Sequence, residues 1–319
     1  MFRVGILDDY QQISLQMANW ESLGSGVEVH AFFDNLIDIP RLAERLQDFD
    51  AVVLMRERTP FPRALFQCLP NLRLVVTTGR RNASIDINAA TERGIVVTGT
   101  DIVSDPTAEL TWGLIIALLR QLPYEEQAMR NGKWQSTIGR TLRDRTLGVL
   151  GLGKLGSQVA KVGNAFGMEV FAWSQNLTRE RAVECGAVYA SKDFLLENSD
   201  IVSIHLVLSD RTRSFIGGDE FARMKSTACL VNTSRGPIVN EAALLHALQS
   251  RRIAGAALDV YDTEPLPADH PLRRLNNVVL SPHLGYVTEE NYRLVYGQAV
   301  ENIRAFLDGN PIRMMNKVS

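Results

Sequence analysis

The sequence predicts an α/β protein built from two doubly wound parallel-sheet domains. Three observations carry the prediction. Short runs rich in Val, Ile and Leu alternate with amphipathic stretches, and strands alternating with helices imply a parallel sheet covered on both faces. That alternation is completed twice, once on either side of a long apolar helix. The chain also has 319 residues, more than a single core comfortably organises.

In the first unit, residues 2–7, 27–33, 51–55, 72–78 and 95–98 read as strands, and residues 13–23, 39–46, 62–68 and 87–93 as helices. Asp86 is placed to cap the last of these, whose interior holds Ala89 and Ala90. No glycine fingerprint follows the first strand, where Leu7-Asp8-Asp9-Tyr10 stands instead. This unit is therefore doubly wound without being an evident nucleotide site.

Asp105 (N-cap) and Pro106 (first helical position) then open a long helix running to about Leu119. Leu110, Leu114, Ala117 and Leu118 mark one face, while Ile115, Ile116 and Leu119 make it apolar almost all round. Such a helix is expected to be buried between domains or between subunits. Pro123 is expected to end or kink the helical stretch beyond Leu119.

The second unit begins near Thr146. Leu147 to Leu150 reads as a short buried strand, followed by Gly151-Leu152-Gly153-Lys154-Leu155-Gly156. A helix continues to Phe166, with Leu155, Val159, Val162 and Phe166 expected on one face. Strand, glycine loop and helix together form the context of a dinucleotide-binding loop. Gly151 allows the tight turn, Gly153 lets the backbone approach a pyrophosphate, and Gly156 lets helix and strand pack closely. The helix N-terminus offers free N–H groups to the phosphates. Further strands are expected at 169–173, 187–190, 201–206, 228–232, 254–259 and 277–281, with helices at 179–185, 193–197, 220–224 and 241–249. Residues 289–307 form one amphipathic helix, stopped by Gly309-Asn310-Pro311. It comes after a complete second unit and can return to the first.

Composition narrows the class. Hydrophobic residues make up 45% and charged residues 22% of the chain, with a formal net charge of -2. That balance points to a globular protein with neither nucleic acid nor an anionic membrane as partner. The three cysteines, Cys68, Cys185 and Cys229, fit neither a disulfide framework nor a metal site. No metal is expected. The opening residues reach Asp8 and Asp9 too soon for a signal peptide, so a cytoplasmic location is expected.

Three segments lie at the C-terminal ends of expected strands, where open parallel sheets bind ligands. They are Asn232-Thr233-Ser234-Arg235-Gly236-Pro237, Ala257 to Pro265, and Leu280-Ser281-Pro282-His283-Leu284-Gly285. Arg235 offers a planar fork suited to a carboxylate. His283 can give and take a proton near neutrality. Glu264 is suited to hold the His283 tautomer and favour its protonated form. Beside a bound hydride carrier, the set suggests reduction of a keto acid: Arg235 anchors it and His283 protonates the alkoxide. His205 is expected near the cofactor because it ends a strand.

GLGKLG, VNTSRGPIVN, ALDVYDTEPLP and LSPHLGY, in that order and spacing, resemble the D-isomer-specific 2-hydroxyacid dehydrogenases. The resemblance extends to TTGRRNASIDINAATERGIVVTGT and PTAELTWGLIIALLRQLP, and so covers nearly the whole chain. It implies a flavodoxin-like substrate domain from both chain ends (1–99 and 288–319) around a Rossmann NAD(P)-binding domain (100–287), with the active site between them. It implies Arg235, Glu264 and His283 as the catalytic set, and a homodimer paired through the cofactor domain. By position, cofactor contacts are expected from Gly151, Gly153, Lys154, Leu155, Gly156, Leu206, Thr233, Ser234, Arg235, Asp259, His283 and Gly285.

The sequence departs from the family pattern at three points. Arg80, Arg81 and Asn82 occupy a loop where smaller or apolar residues are usual, and with Arg56 they suggest further anchors for an acidic substrate. Tyr286 stands where many relatives have a small residue and is expected to narrow the pocket. Ser174 replaces the acid that normally binds the ribose 2′-hydroxyl of NAD. Losing that carboxylate removes repulsion against a 2′-phosphate, which Ser174, Asn176 and Arg179 are placed to meet. The expected cofactor is NADP or NAD, with NADP favoured. The expected activity is interconversion of a small 2-keto acid and its D-2-hydroxy acid. A dinucleotide-sensing scaffold or corepressor on the same fold remains the alternative.

Overall fold

The computed structural model describes residues 1–318. It divides into two compact units, Met1–Val103 with the segment from Val287 onward, and Ser104–Tyr286.

The first unit holds strands β1 (Phe2–Ile6), β2 (Val27–Ala31), β3 (Ala51–Leu54), β4 (Leu74–Thr77) and β5 (Val96–Gly99). They pair in parallel in the order β2-β1-β3-β4-β5, the flavodoxin-like arrangement. Every residue of β3, β4 and β5 is buried, as continuous apolar runs require in a sheet covered on both faces. Helices α1 (Ile39–Leu46), α2 (Arg63–Gln67) and α3 (Ile87–Glu92) pack Leu42, Leu46, Leu65, Phe66, Ala89 and Ala90 into that core. Asp86 caps α3 by accepting the Ala89 N–H. The terminal helix Glu289–Leu307 belongs to this unit and buries Tyr292, Val295, Tyr296, Ala299 and Ile303, one helical stripe. Beyond it the tail lies antiparallel to β5, with Gly99 N–H donating to Arg313 O and Met315 N–H to Val97 O. The tail thereby covers an open sheet edge.

One expected helix does not form. Residues 13–23 make two short 3₁₀ turns, Ser14–Gln16 and Trp20–Leu23. The Asp9 carboxylate captures the Ile13 and Ser14 N–H groups and the Ser14 hydroxyl, and the Trp20 indole donates to Ser14 O. These side-chain partners replace the helical ladder.

The second unit holds β6 (Thr146–Leu150), β7 (Glu169–Trp173), β8 (Val188–Tyr189), β9 (Ile201–Ile204), β10 (Cys229–Asn232), β11 (Gly255–Leu258) and β12 (Val278–Leu280). Its sheet is parallel throughout, in the order β12-β11-β10-β9-β6-β7-β8. The chain winds outward from β6 in both directions, so the topological switch point lies between β6 and β9. Register matters here. Leu150 pairs with Ile204, Ile204 with Asn232, Asn232 with Leu258, and Leu258 with Leu280. Five strands therefore end in one row, and the loops beyond them emerge side by side.

Helices α4 (Asp105–Leu119), α5 (Leu122–Arg130), α6 (Lys154–Ala165), α7 (Arg179–Glu184), α8 (Lys192–Asn198), α9 (Gly218–Arg223) and α10 (Glu241–Gln249) complete this unit. Pro123 neither ends nor kinks a helix. Gln121 turns the chain in the left-handed region, at φ 50°, and Pro123 sits in the first turn of α5, where it needs no helical N–H partner. The inward face of α6 also differs from expectation. Val162 and Phe166 are exposed, and Gly156, Val159, Ala160 and Gly163 are the buried residues. Small residues win because α6 lies against β6: a Cβ on Gly163 would come within 2.9 Å of Leu147.

Candidate active site

The glycine loop is shaped by close backbone approaches. Gly151 adopts φ 101°, and a Cβ there would lie 2.6 Å from His205 O. A Cβ on Gly156 would lie 1.9 Å from Gly151 O. These two glycines are needed for the loop to close on itself. Gly153 is different, since a Cβ there would meet nothing within 4 Å. It is exposed, caps α6 without a side-chain partner, and precedes the exposed Lys154. Open space in front of a helix N-terminus fits a pyrophosphate, whose charge the helix dipole and free N–H groups favour. The loop is therefore chemically suited to a dinucleotide.

Beside the loop, Ser174 accepts the Leu152 N–H at 2.8 Å. The side chain at the expected ribose position thus braces the phosphate loop and carries no charge. Asn176 is exposed, and the Arg179 guanidinium lies over the Tyr189 ring at 5.8 Å. Leu206 lies just past β9 and accepts the Ser234 hydroxyl through its carbonyl.

Beyond β10, Asn232 shapes the turn that carries Arg235. It is buried, accepts the Ser234 N–H at 3.0 Å and donates to Arg235 O at 3.0 Å. Arg235 Nη1 donates to Ser234 O at 2.8 Å. Thr233 pairs with Thr111 of α4 at 2.8 Å. Beyond β11, the buried Asp259 carboxylate accepts the Ser281 hydroxyl at 2.6 Å, Leu284 N–H at 2.7 Å and Gly285 N–H at 2.9 Å. Burial pushes its carboxyl above the ordinary range although these donors oppose the shift. The three bonds hold the turn in which His283 takes the left-handed φ of 56°. Thr107 of α4 donates to Gly285 O at 2.7 Å and closes the turn.

His283 Nδ1 meets Glu264 Oε2 at 2.5 Å. The carboxylate accepts the Nδ1 proton and leaves Nε2 for a reacting group. The other Glu264 oxygen accepts Tyr261 N–H at 2.9 Å. Tyr261 OH reaches the Leu258 and Ser281 carbonyls at 3.1 and 2.9 Å, tying the β11 and β12 loops together. The Tyr286 ring stands edge-on to His283 at 5.4 Å.

One unit therefore gathers the glycine loop, Ser174, Leu206, Thr233, Ser234, Arg235, Asp259, Glu264, His283 and Gly285 along one sheet edge. Arg56, Arg80 and Arg81 belong to the other unit. There Arg56 takes φ 54° and donates from Nη1 to Thr78 O at 3.2 Å. Its guanidinium occupies the space that a side chain on Gly79 would fill, 2.1 Å from an added Cβ. Arg80 is exposed and engaged by Asp101 at 2.6 Å, and Arg81 is exposed. Sequence reasoning missed the supporting residues Asn232, Tyr261, Thr107 and Thr111. Only Asn232 carries a local signal, since Asn before a turn reaches backbone two residues on. Among the described residues no group of three His, Cys, Asp or Glu is arranged to hold a metal. None of the described helices is long and apolar enough to cross a membrane.

His205 lies just past β9, beside Gly151. Its Nε2 meets Ser203 Oγ at 2.9 Å, while Nδ1 is buried without a partner among the described residues. Burial lowers its pKa from 6.5 to about 4. The unfolded chain takes up this proton below 6.5 and the folded chain only near 4, so the group leaves stability unchanged above that window. Stability falls as pH drops through it, by on the order of 2 kcal/mol at a pH of about 5. Denaturant titrations at pH about 7 and 5 check this: His205→Asn is expected to lose less stability between them than the native chain.

The comparisons with known proteins bear on family and fold. Residues 112–285 match the family model described as the NAD binding domain of D-isomer specific 2-hydroxyacid dehydrogenases. The chain is 43% identical over 259 residues to a glyoxylate reductase of Aeropyrum pernix, covering 78% of this chain and 77% of that protein. It is 37% identical to a D-3-phosphoglycerate dehydrogenase of Archaeoglobus fulgidus over 85% of this chain but only 52% of that protein. The crystal structure of a phosphoglycerate oxidoreductase of Vibrio cholerae superposes with a TM-score of 0.92 at 38% identity, covering 97% of this chain and 100% of the other. With motif order, sheet topology and overall sequence in accord, the chain belongs to the D-isomer specific 2-hydroxyacid dehydrogenase family.

Proposed function

We propose that the chain interconverts a small 2-keto acid and its D-2-hydroxy acid, using a nicotinamide dinucleotide. The observation that carries the reading is the 2.5 Å His283–Glu264 pair in the same row of loops as Arg235 and the glycine loop. A bound nicotinamide supplies or accepts the hydride. Gly153, Lys154, Leu155 and Gly156 would hold its pyrophosphate through backbone N–H groups, while Gly151, whose N–H donates to Trp173 O at 2.7 Å, makes the turn beneath it. Thr233, Asp259 and Gly285 shape the row farther along the sheet edge. Arg235 orients the substrate carboxylate with its planar fork. His283 Nε2 donates a proton to the developing alkoxide oxygen in reduction and removes it from the hydroxyl in oxidation. Glu264 fixes the tautomer that makes this possible and stabilises the imidazolium. Arg56, Arg80 and Arg81 are proposed as further anion anchors; Arg56 is propped against Gly79 and pairs with Glu57 at 3.7 Å, and Arg80 pairs with Asp101.

NADP is the favoured dinucleotide. Ser174 contributes no charge against a 2′-phosphate, and its oxygen accepts the Leu152 N–H while its own O–H can still donate. Activity with NADPH is expected to exceed that with NADH, and Ser174→Asp to reverse the order by roughly tenfold or more, about 1.4 kcal/mol of discrimination. A native preference for NADH contradicts this part. Two copies are proposed to pair through α5 and the arm after it, where Met129, Trp134 and Ile138 are 57%, 74% and 93% exposed. Sedimentation at the mass of one protomer at micromolar concentration would count against that pairing.

A further inference from the structure

Arg235 and Glu264 lie on separate loops, and each loop has a second fastening six residues further on. Beyond Arg235, the chain passes through a 3₁₀ turn, Gly236–Ile238, to Glu241 at the start of α10. Beyond Glu264, it reaches His270, the N-cap of the 3₁₀ turn Pro271–Arg274. His270 Nε2 meets Glu241 Oε1 at 3.1 Å. Leu272 N–H donates to His270 Nδ1 at 3.3 Å. That acceptor role places the ring proton on Nε2, directed at Glu241. The two side chains are largely buried, at 13% and 26% exposure. Nearer the candidate active site the loops are in backbone contact, for a Cβ on Gly236 would lie 2.0 Å from the Tyr261 carbonyl carbon. The same Tyr261 donates its N–H to Glu264. Arg273 gathers the far end by donating to the Leu266 and Pro267 carbonyls.

From this arrangement we infer that His270 and Glu241 are positioning residues: their hydrogen bond clamps the Arg235 loop to the Glu264 loop and so holds Glu264 against His283. The inference rests on the proposed acid–base role of that pair. It fits the geometry in three ways. A carboxylate that must remain 2.5 Å from an imidazole sits on an irregular loop, residues 259–270, that has no helix or strand of its own. The clamp joins that loop to α10, a regular element. Neither His270 nor Glu241 emerges directly from the row of strand ends that carries the chemistry. Glu241 and Asp262 face His270, with Arg213 beside Asp262, and Glu264 and Asp259 face His283.

The test needs no identified substrate. His283 is followed by NMR in protein labelled at histidine Cε1, its resonance assigned by loss in His283→Gln. Glu264→Gln is expected to change the chemical shift of that resonance at fixed pH, because the carboxylate that accepts the Nδ1 proton is lost. His270→Asn retains a cap for the Leu272 N–H but is too short to reach Glu241. It is expected to reproduce most of that change, whereas His270→Gln, which keeps a donor within reach of Glu241, stays close to the native resonance. If His270→Asn does not fold, Glu241→Ala and Glu241→Gln replace it. Both remove the same charge, but only the alanine variant removes the acceptor and is expected to shift His283. A shift with Glu264→Gln and none with His270→Asn or Glu241→Ala overturns the clamp alone. No shift with Glu264→Gln overturns the acid–base pair, and the clamp with it.

Discussion

Replacing His283 with glutamine is expected to lower kcat by about a hundredfold to ten-thousandfold, the range for losing a positioned general acid–base group. Dinucleotide affinity should change by no more than about twofold, because the phosphate loop is built from other residues. The physical reason lies in the His283 turn. The residue takes a left-handed conformation, and Asp259 offsets its cost by accepting the next two N–H groups. Glutamine in the same turn still presents an amide to Glu264 but cannot cycle a proton. Fluorescence titration with dinucleotide, beside steady-state rates, separates the two effects. Unchanged turnover with intact binding removes His283 from the chemistry.

The second large effect concerns the glycine loop and separates two glycines by what surrounds them. Gly153→Ala is expected to leave the unliganded protein's melting temperature unchanged, since the added methyl meets open space. It should weaken dinucleotide binding by about tenfold to a hundredfold, because that space is where the pyrophosphate approaches. Gly156→Ala should do the reverse first. Its methyl would lie 1.9 Å from the Gly151 carbonyl, so the fold loses roughly 1–3 kcal/mol or more before any ligand is added. Thermal melts with and without dinucleotide check both. If Gly153→Ala melts early and binds normally, the open face of Gly153 is a packing feature and not a ligand site.

Much of this is readable from the residues. Buried parallel strands announce themselves as continuous apolar runs, and glycines at 151, 153 and 156 between such a run and a helix specify a phosphate loop. The three ionisable residues are visible because each lies just past a strand. The features that escape depend on partners distant in sequence. Asp259 and Ser281 are 22 residues apart, and nothing local says that the aspartate folds the histidine turn. Ser174 can be seen to lack a charge, but not that its hydroxyl braces Leu152. The inward face of α6 is misread in part: Val159 is buried as expected, but hydrophobicity also nominates Val162 and Phe166, whereas the close approach to β6 at Gly163 admits no side chain there. Residues 13–23 carry a helical pattern that Asp9 overrides by taking the first N–H groups for itself. His270 and Glu241, 29 residues apart, look like surface residues of two unrelated segments.

The proposed reaction is hydride exchange between a nicotinamide dinucleotide and a small 2-keto acid with D-configured product. Its most direct measurement is oxidation of NADPH and NADH against glyoxylate, hydroxypyruvate, pyruvate and a dicarboxylic 2-keto acid. For each chiral product, the configuration is read by chiral chromatography. The predicted result is saturable turnover with at least one of these acids, D product only, and loss of that turnover in His283→Gln. Turnover that yields the L product, or a protein that binds dinucleotide tightly and reduces none of the four, would contradict it.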